Sequence, residues 1–109
     1  MASRKEPKEK MYELLTAEKY DELLEYCSKT LSQDPQDLEA LKNKAYAYYF
    51  LNRYEEALSY YDKLIELDPK DPSHYSGKSQ TLEKLDRHKE AASWFEQAMK
   101  IEAETKNNE

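Results

Sequence analysis

An all-α fold is predicted for this chain: three helical hairpins of equal length, stacked one on the next as a solenoid. Three observations predict it. Residue types recur at a fixed spacing of 34 positions. Within each unit the apolar residues follow helical periodicity. The chain also holds one Gly and four Pro, too few for the tight turns of strand-rich folds, whereas Leu, Ala, Glu, Lys and Gln are abundant and favour helix.

The 109 residues suit one domain, spanning 1–109, or one short repeat array. Charged residues make up 37% and the mean hydropathy is -1.13, values that a disordered chain would share. Ten Tyr, two Phe and one Trp argue for a packed core instead. Acidic residues outnumber basic ones by 23 to 17, a net charge of -6, which disfavours a nucleic-acid partner because phosphate contacts supply most of such affinity. Cys27 is alone, so no internal disulfide forms and a reducing compartment fits. No N-terminal apolar run resembles a secretion signal. The longest markedly apolar stretch, Ala45 to Leu51, is far short of the ~20 residues that span a bilayer. The expectation is a cytoplasmic protein without a membrane partner; an engineered repeat array or a fragment of a longer protein would read the same way.

The repeat is carried by several positions at once. Lys19-Tyr20-Asp21-Glu22, Arg53-Tyr54-Glu55-Glu56 and Arg87-His88-Lys89-Glu90 align at 34-residue intervals. So do Asp34-Pro35 with Asp68-Pro69, Ala17 with Leu51 and Leu85, and Cys27 with Tyr61 and Phe95. The units fall near 4–37, 38–71 and 72–105, with a short polar tail at 106–109. Each unit divides in two. Leu41, Ala45, Tyr48 and Leu51 make one apolar stripe, and Ala57, Tyr61, Leu64 and Leu67 make another. Between them Asn52 supplies a residue that tolerates the left-handed conformation, and Asp86 does so in the third unit. Asp68-Pro69 stops a helix, since the residue before Pro leaves the helical region. Asp71-Pro72 starts the next as N-cap and first helical residue, and Asp37-Leu38 is its counterpart. Helices are therefore expected near 6–17, 20–33, 37–51, 54–67, 71–85 and 88–105.

A 34-residue helix–turn–helix with small residues at Ala45 and Ala57, aromatics at Tyr48 and Tyr61 and a closing Pro69 resembles the tetratricopeptide repeat. The third unit carries Tyr75, Leu82, Ala91, Phe95 and Ala98 in the corresponding places without a closing Pro. The first keeps Leu14, Tyr20 and Pro35, with Leu23 where a small residue is usual and Cys27 in place of an aromatic. The resemblance implies a right-handed superhelix with a concave groove lined by the first helix of each unit, and a non-catalytic module that binds a peptide segment of a partner.

By that geometry the groove positions are Lys5, Lys8, Glu9, Tyr12, Leu15 and Thr16 in unit one, Glu39, Lys42, Asn43, Tyr46, Tyr49 and Phe50 in unit two, and Ser73, Ser76, Gly77, Gln80, Glu83 and Lys84 in unit three. Lys8, Tyr12, Lys42, Asn43, Tyr46, Tyr49, Phe50, Gln80 and Lys84 are the candidate binding residues. Aromatic side chains bury large area at small entropic cost, and Lys8, Lys42 and Lys84 add positive charge, so an acidic and apolar segment is the natural ligand. Ordinary packing stands as the plainer account of the tyrosines. One co-chaperone branch of the family grips a C-terminal carboxylate with two Lys, two Asn and one Arg. Lys8 and Asn43 match that clamp; Tyr12 replaces an Asn, Ser73 a Lys and Gly77 the Arg, and the guanidinium fork is what a bidentate grip requires. Gly77, the only glycine, sits mid-helix, where it costs about 1 kcal/mol relative to Ala; it marks a close approach by a ligand or a neighbour, or nothing.

No catalytic constellation, cofactor or metal site is expected. His74 and His88 lie on different helices, no group of ligands has metal spacing, and Cys27 reads as a packed thiol. Self-association is the alternative to peptide capture: the last helix, with Trp94, Ala98 and Ile101, lacks a following cover and would pair with a second chain as a homodimer.

Overall fold

A computed structural model describes residues 6–107, which form six α-helices: α1 (Pro7–Thr16), α2 (Tyr20–Gln33), α3 (Leu38–Phe50), α4 (Tyr54–Leu67), α5 (Pro72–Lys84) and α6 (His88–Asn107). Every end falls within two residues of the expectation. The first two residues of the expected tail, Lys106 and Asn107, continue α6, while Asn108 and Glu109, like Lys5, lie outside the described residues.

The three turns inside the hairpins share one geometry. Asn52 and Asp86 take the left-handed conformation, with φ of 62° and 61°, and Glu18 joins them at 58°. In each turn the following amide reaches back five residues: Lys19 to Leu14 O, Arg53 to Tyr48 O and Arg87 to Leu82 O. The left-handed residue's own amide donates three residues back, to Leu15, Tyr49 and Glu83. This is a Schellman closure, which satisfies carbonyls that a helix end would leave unpaired. The type of residue 18 hid its role, since Glu is not among those that favour this conformation.

Between hairpins the chain turns on aspartates. The amides of Asp37 and Asp71 donate to the carbonyls of Asp34 and Asp68. The Asp37 carboxylate then accepts from Ala40 N and that of Asp71 from Ser73 N, both at 2.9 Å, capping α3 and α5.

Two of the three clusters of buried side chains cross from one hairpin to the next. Met11 and Leu14 of α1, Leu23 and Cys27 of α2, and Ala40 and Ala47 of α3 form one cluster. Leu41, Ala45, Ala57, Tyr61 and Leu64 form a second. Leu58, Leu82 and Ala91 join α4, α5 and α6 in a third. Small residues at 40, 45, 47, 57 and 91 let the backbones approach. The Cα radius of gyration, 14.9 Å, exceeds the ~13 Å of a compact domain of about 100 residues, as stacking in one direction requires.

Two core assignments are corrected. Phe95 stands in register with Cys27 and Tyr61, yet is 52% exposed where those two are buried; among the described residues no helix follows α6 to cover it. Tyr48 is only partly buried, because its ring stacks on Tyr60 and Arg53 lies over it.

Candidate functional site

The groove residues do not form one surface. Lys8, Tyr12 and Leu15 of α1 and Glu39, Lys42, Asn43 and Tyr46 of α3 line a pocket of about 160 Å³. They meet because α1 packs on α3 as well as on α2, and because positions 12 and 46 occupy equivalent places one unit apart. Tyr12 is 68% exposed. Lys42 pairs with Glu39 at 3.3 Å on its own helix.

Asn43 is in the wall but its amide is engaged. Nδ2 donates to Glu39 O at 2.8 Å and contacts Met11 Sδ at 3.5 Å, and the residue is buried. It ties α3 to α1, a role sequence spacing does not reveal.

Tyr49 and Phe50 belong elsewhere. The Tyr49 ring meets Phe50 and Tyr54 edge-on, both at 5.6 Å, and Phe50 stacks on Tyr20 at 5.4 Å. These four aromatics gather where the first helix of unit two ends. Gln80 lines a separate depression with Ser79, Glu83, Ala91, Ala92 and Phe95. Lys84 is exposed in the last turn of α5, where a cation complements the helix dipole.

Gly77 marks a neighbour's approach. A Cβ there would lie 2.2 Å from Cε1 and 2.5 Å from Cζ of Tyr61. The ring of Tyr61 therefore occupies the space any side chain at 77 would need. Burial, followed by the nearby Tyr46 and Tyr49, holds the Tyr61 phenol well above its usual titration range. Of the carboxylate clamp, only exposed Lys8 remains both matched and free of Asn43's internal role.

The proposed pairing residues on α6 are likewise redistributed. Ala98 is buried. Trp94 is half-buried, its ring packed on Tyr75 at 5.9 Å with Lys78 Nζ 3.8 Å from its centroid. Ile101 is partly buried. The apolar side chains that face outward are Phe95 and Met99, at 52% and 50% exposure.

Sequence spacing missed one cluster of ligand-type groups. Asp68, Asp71 and His74 bring one atom each within 4.8 Å of one another. They converge because Asp68 ends α4 while Asp71 and His74 open α5. His74 is buried; its Nε2 lies 3.1 Å from Asp68 Oδ2 and 3.6 Å from Asp71 Oδ2. Asp71 Oδ1 accepts from the amide and hydroxyl of Ser73. Burial alone would raise the Asp71 carboxyl's pKa, but those hydrogen bonds, with His74 and Lys42, outweigh it and hold the group below the usual carboxylate range. The cluster fastens the turn at a helix N-terminus, whose partial positive charge suits carboxylates.

The sequence pattern of the tetratricopeptide repeat matches residues 14–82, and a second pattern of the same name matches 75–105. Among solved structures, the chain is similar to the first TPR of Spaghetti (RPAP3) bound to HSP90 peptide SRMEEVD. The identity is 26% over 89% of this chain and 77% of that one, with a TM-score of 0.83. MamA from Desulfovibrio magneticus RS-1 shares the fold at 23% identity, over 90% of this chain and 55% of that one, with a TM-score of 0.84. Another MamA structure, MSR-1, matches at 19% identity over 87% of this chain and 55% of that one, TM-score 0.82. The chain thus spans little more than half the length of these MamA chains. No curated protein matches it significantly in sequence. Among the described residues no helix is long and apolar enough to cross a membrane.

Proposed function

The chain belongs to the tetratricopeptide repeat family, and from that premise we propose that it is a protein-interaction module that receives an acidic, partly apolar peptide segment between α1 and α3. The observation that carries this is the pocket itself. Two lysines, Lys8 and Lys42, and two tyrosines, Tyr12 and Tyr46, converge on it with Leu15 at its side. A cation attracts the acidic side chains, and an exposed aromatic supplies contact area at small entropic cost. The HSP90 peptide SRMEEVD in the Spaghetti structure is a segment of this character. The carboxylate fork is absent here, so acidic side chains rather than a terminal carboxylate are the expected anchors.

The test is fluorescence anisotropy with labelled SRMEEVD and a panel of acidic peptides carrying Leu or Met. Micromolar binding that falls about tenfold or more in Tyr12→Ala, Tyr46→Ala is expected, a loss of roughly 1.4 kcal/mol or more. Tyr12 is largely exposed, so its removal leaves helicity intact. Binding unchanged in the double variant refutes the assignment.

A second reading rests on α6. Phe95 and Met99 form an outward apolar face beside Ala92, and a second copy covering it would place Phe95 as Tyr61 is placed. Sedimentation velocity decides: a monomer at all concentrations, or a dimer indifferent to Phe95→Ser, rejects the pairing.

A further inference from the structure

The chain contains the same lysine–aromatic arrangement twice, and the two copies differ in one group. In the junction of α4, α5 and α6, Lys78 Nζ donates to Asp62 Oδ1 and lies 3.8 Å from the centroid of Trp94. One repeat earlier, the equivalent positions are Lys44, Ser28 and Tyr60. Lys44 Nζ donates to Ser28 Oγ at 3.0 Å and lies 4.9 Å from the centroid of Tyr60 and 5.9 Å from that of Tyr48. The ammonium therefore meets a hydroxyl where its counterpart meets a carboxylate.

Lys44 is only 8% exposed, and among the described residues no carboxylate forms an ion pair with it. A buried ammonium supported by one hydroxyl and two aromatic faces is costly relative to one that is paired. A second cation shares the same aromatic: Lys63 Nζ lies 4.4 Å from the Tyr60 centroid. Lys44, Lys63, Tyr60 and Ser28 all line a pocket of about 400 Å³ between α2 and α4. It shares no residue with the pocket between α1 and α3. Ser28 Oγ accepts from Lys44, so its own proton is free to point at a ligand.

We propose that this pocket is an oxyanion-binding site, taking the carboxylate of an acidic side chain on a partner protein against Lys44, Lys63 and Ser28. The chain's own Asp62 shows the chemistry that completes such an arrangement. The site is independent of the α1–α3 pocket, so a partner engaging both faces would contact two separate acidic positions.

The experiment titrates the full-length ¹⁵N-labelled chain with N-acetyl-aspartate N′-methylamide and, in a parallel arm, with inorganic phosphate. Saturable shifts confined to the amides around Ser28, Lys44 and Lys63 are expected in the first arm. Ser28→Asp provides an internal carboxylate in the manner of Asp62 and should weaken that binding about tenfold or more, while raising the melting temperature. Lys63→Gln, at an exposed position, should weaken it several-fold with helicity unchanged, which keeps the test decisive should the first variant fold poorly. No saturable shift with either probe overturns the proposal. So does binding that is equal in wild type and both variants. Saturation by phosphate alone overturns the carboxylate assignment in favour of a phosphoryl group.

Discussion

Replacing Gly77 with Ala tests how the second and third hairpins are joined. A glycine inside an exposed helix is about 1 kcal/mol worse than alanine, so on propensity alone the variant would be more stable. The structure demands the opposite. The new Cβ would stand 2.2 Å from Cε1, 2.5 Å from Cζ and 2.9 Å from Cδ1 of Tyr61, whereas carbon atoms rest at about 3.5–4.0 Å. The ring or the helix must give by more than ~1 Å. Tyr61 is 5% exposed and packs with Leu41, Ala45, Ala57 and Leu64, which are buried too, so little slack exists. Overpacking of this sort costs about 1–3 kcal/mol; at the upper end, after the propensity gain, the net loss is about 2 kcal/mol. That corresponds to a fall in melting temperature on the order of 10 °C for a domain of this size. Urea unfolding followed by circular dichroism at 222 nm measures it. Adding Tyr61→Leu should restore part of the loss, and the double-mutant cycle should show a coupling of similar size. A Gly77→Ala protein more stable than wild type by the ~1 kcal/mol that propensity alone supplies would refute the reasoning.

Three further outcomes are expected. Glu18→Gly should stabilise by about 0.5–1 kcal/mol, because φ of 58° strains an L side chain and not glycine; an unchanged urea midpoint would contradict this. The Cys27 thiol is pushed up to about 12 by burial, against the opposing pull of Lys44 and with Asp37 adding to it, so a thiol-specific disulfide reagent at pH 8 should react only as fast as the first hairpin opens, and prompt native labelling would count against it. Asp71→Ala should cost about 1 kcal/mol at neutral pH through loss of the α5 cap. Because the folded carboxyl titrates below its ordinary value, its contribution is present above the unfolded pKa of about 4 and is lost as pH falls through the folded one; the gap between the variant and wild-type melting temperatures should close in strong acid and stay open at pH 7.

The hairpins were legible because their punctuation is local. Asp37 and Asp71 as caps, Pro72 at a helix start, and Asn52 and Asp86 in left-handed turns each follow from residue type at one position. The candidate site was less so, since it depends on which side chains point together. Lys8, Tyr12, Lys42 and Tyr46 do converge, as equivalent positions on adjacent first helices must. Tyr49 and Phe50 escaped that logic because an aromatic near a helix end finds partners in the turn, here Tyr54 and Tyr20. Phe95 and Trp94 were exchanged because a repeat pattern encodes position within a unit, not the partners a neighbouring helix offers, here Tyr75 and Lys78 against Trp94. The grouping of His74 with Asp68 and Asp71 spans a helix break, and no helical periodicity reports on contacts across one. Lys44 was hidden for the reason Lys residues usually are: as a type they are exposed, and only the geometry shows this one turned inward.

The sharing of buried clusters across hairpin boundaries has a consequence for how the molecule comes apart. Cys27 is covered by Ala40 and Ala47 of the next hairpin and the Tyr61 ring lies against Gly77 of the one after, so an excised hairpin would leave one or the other facing water and should not persist alone. Loss of order should start in the far half of α6, where residues 102–107 are all exposed, and travel inward. Amide exchange would then rank the helices, with the far half of α6 opening first and α3, held between α2 and α4, surrendering its protons last.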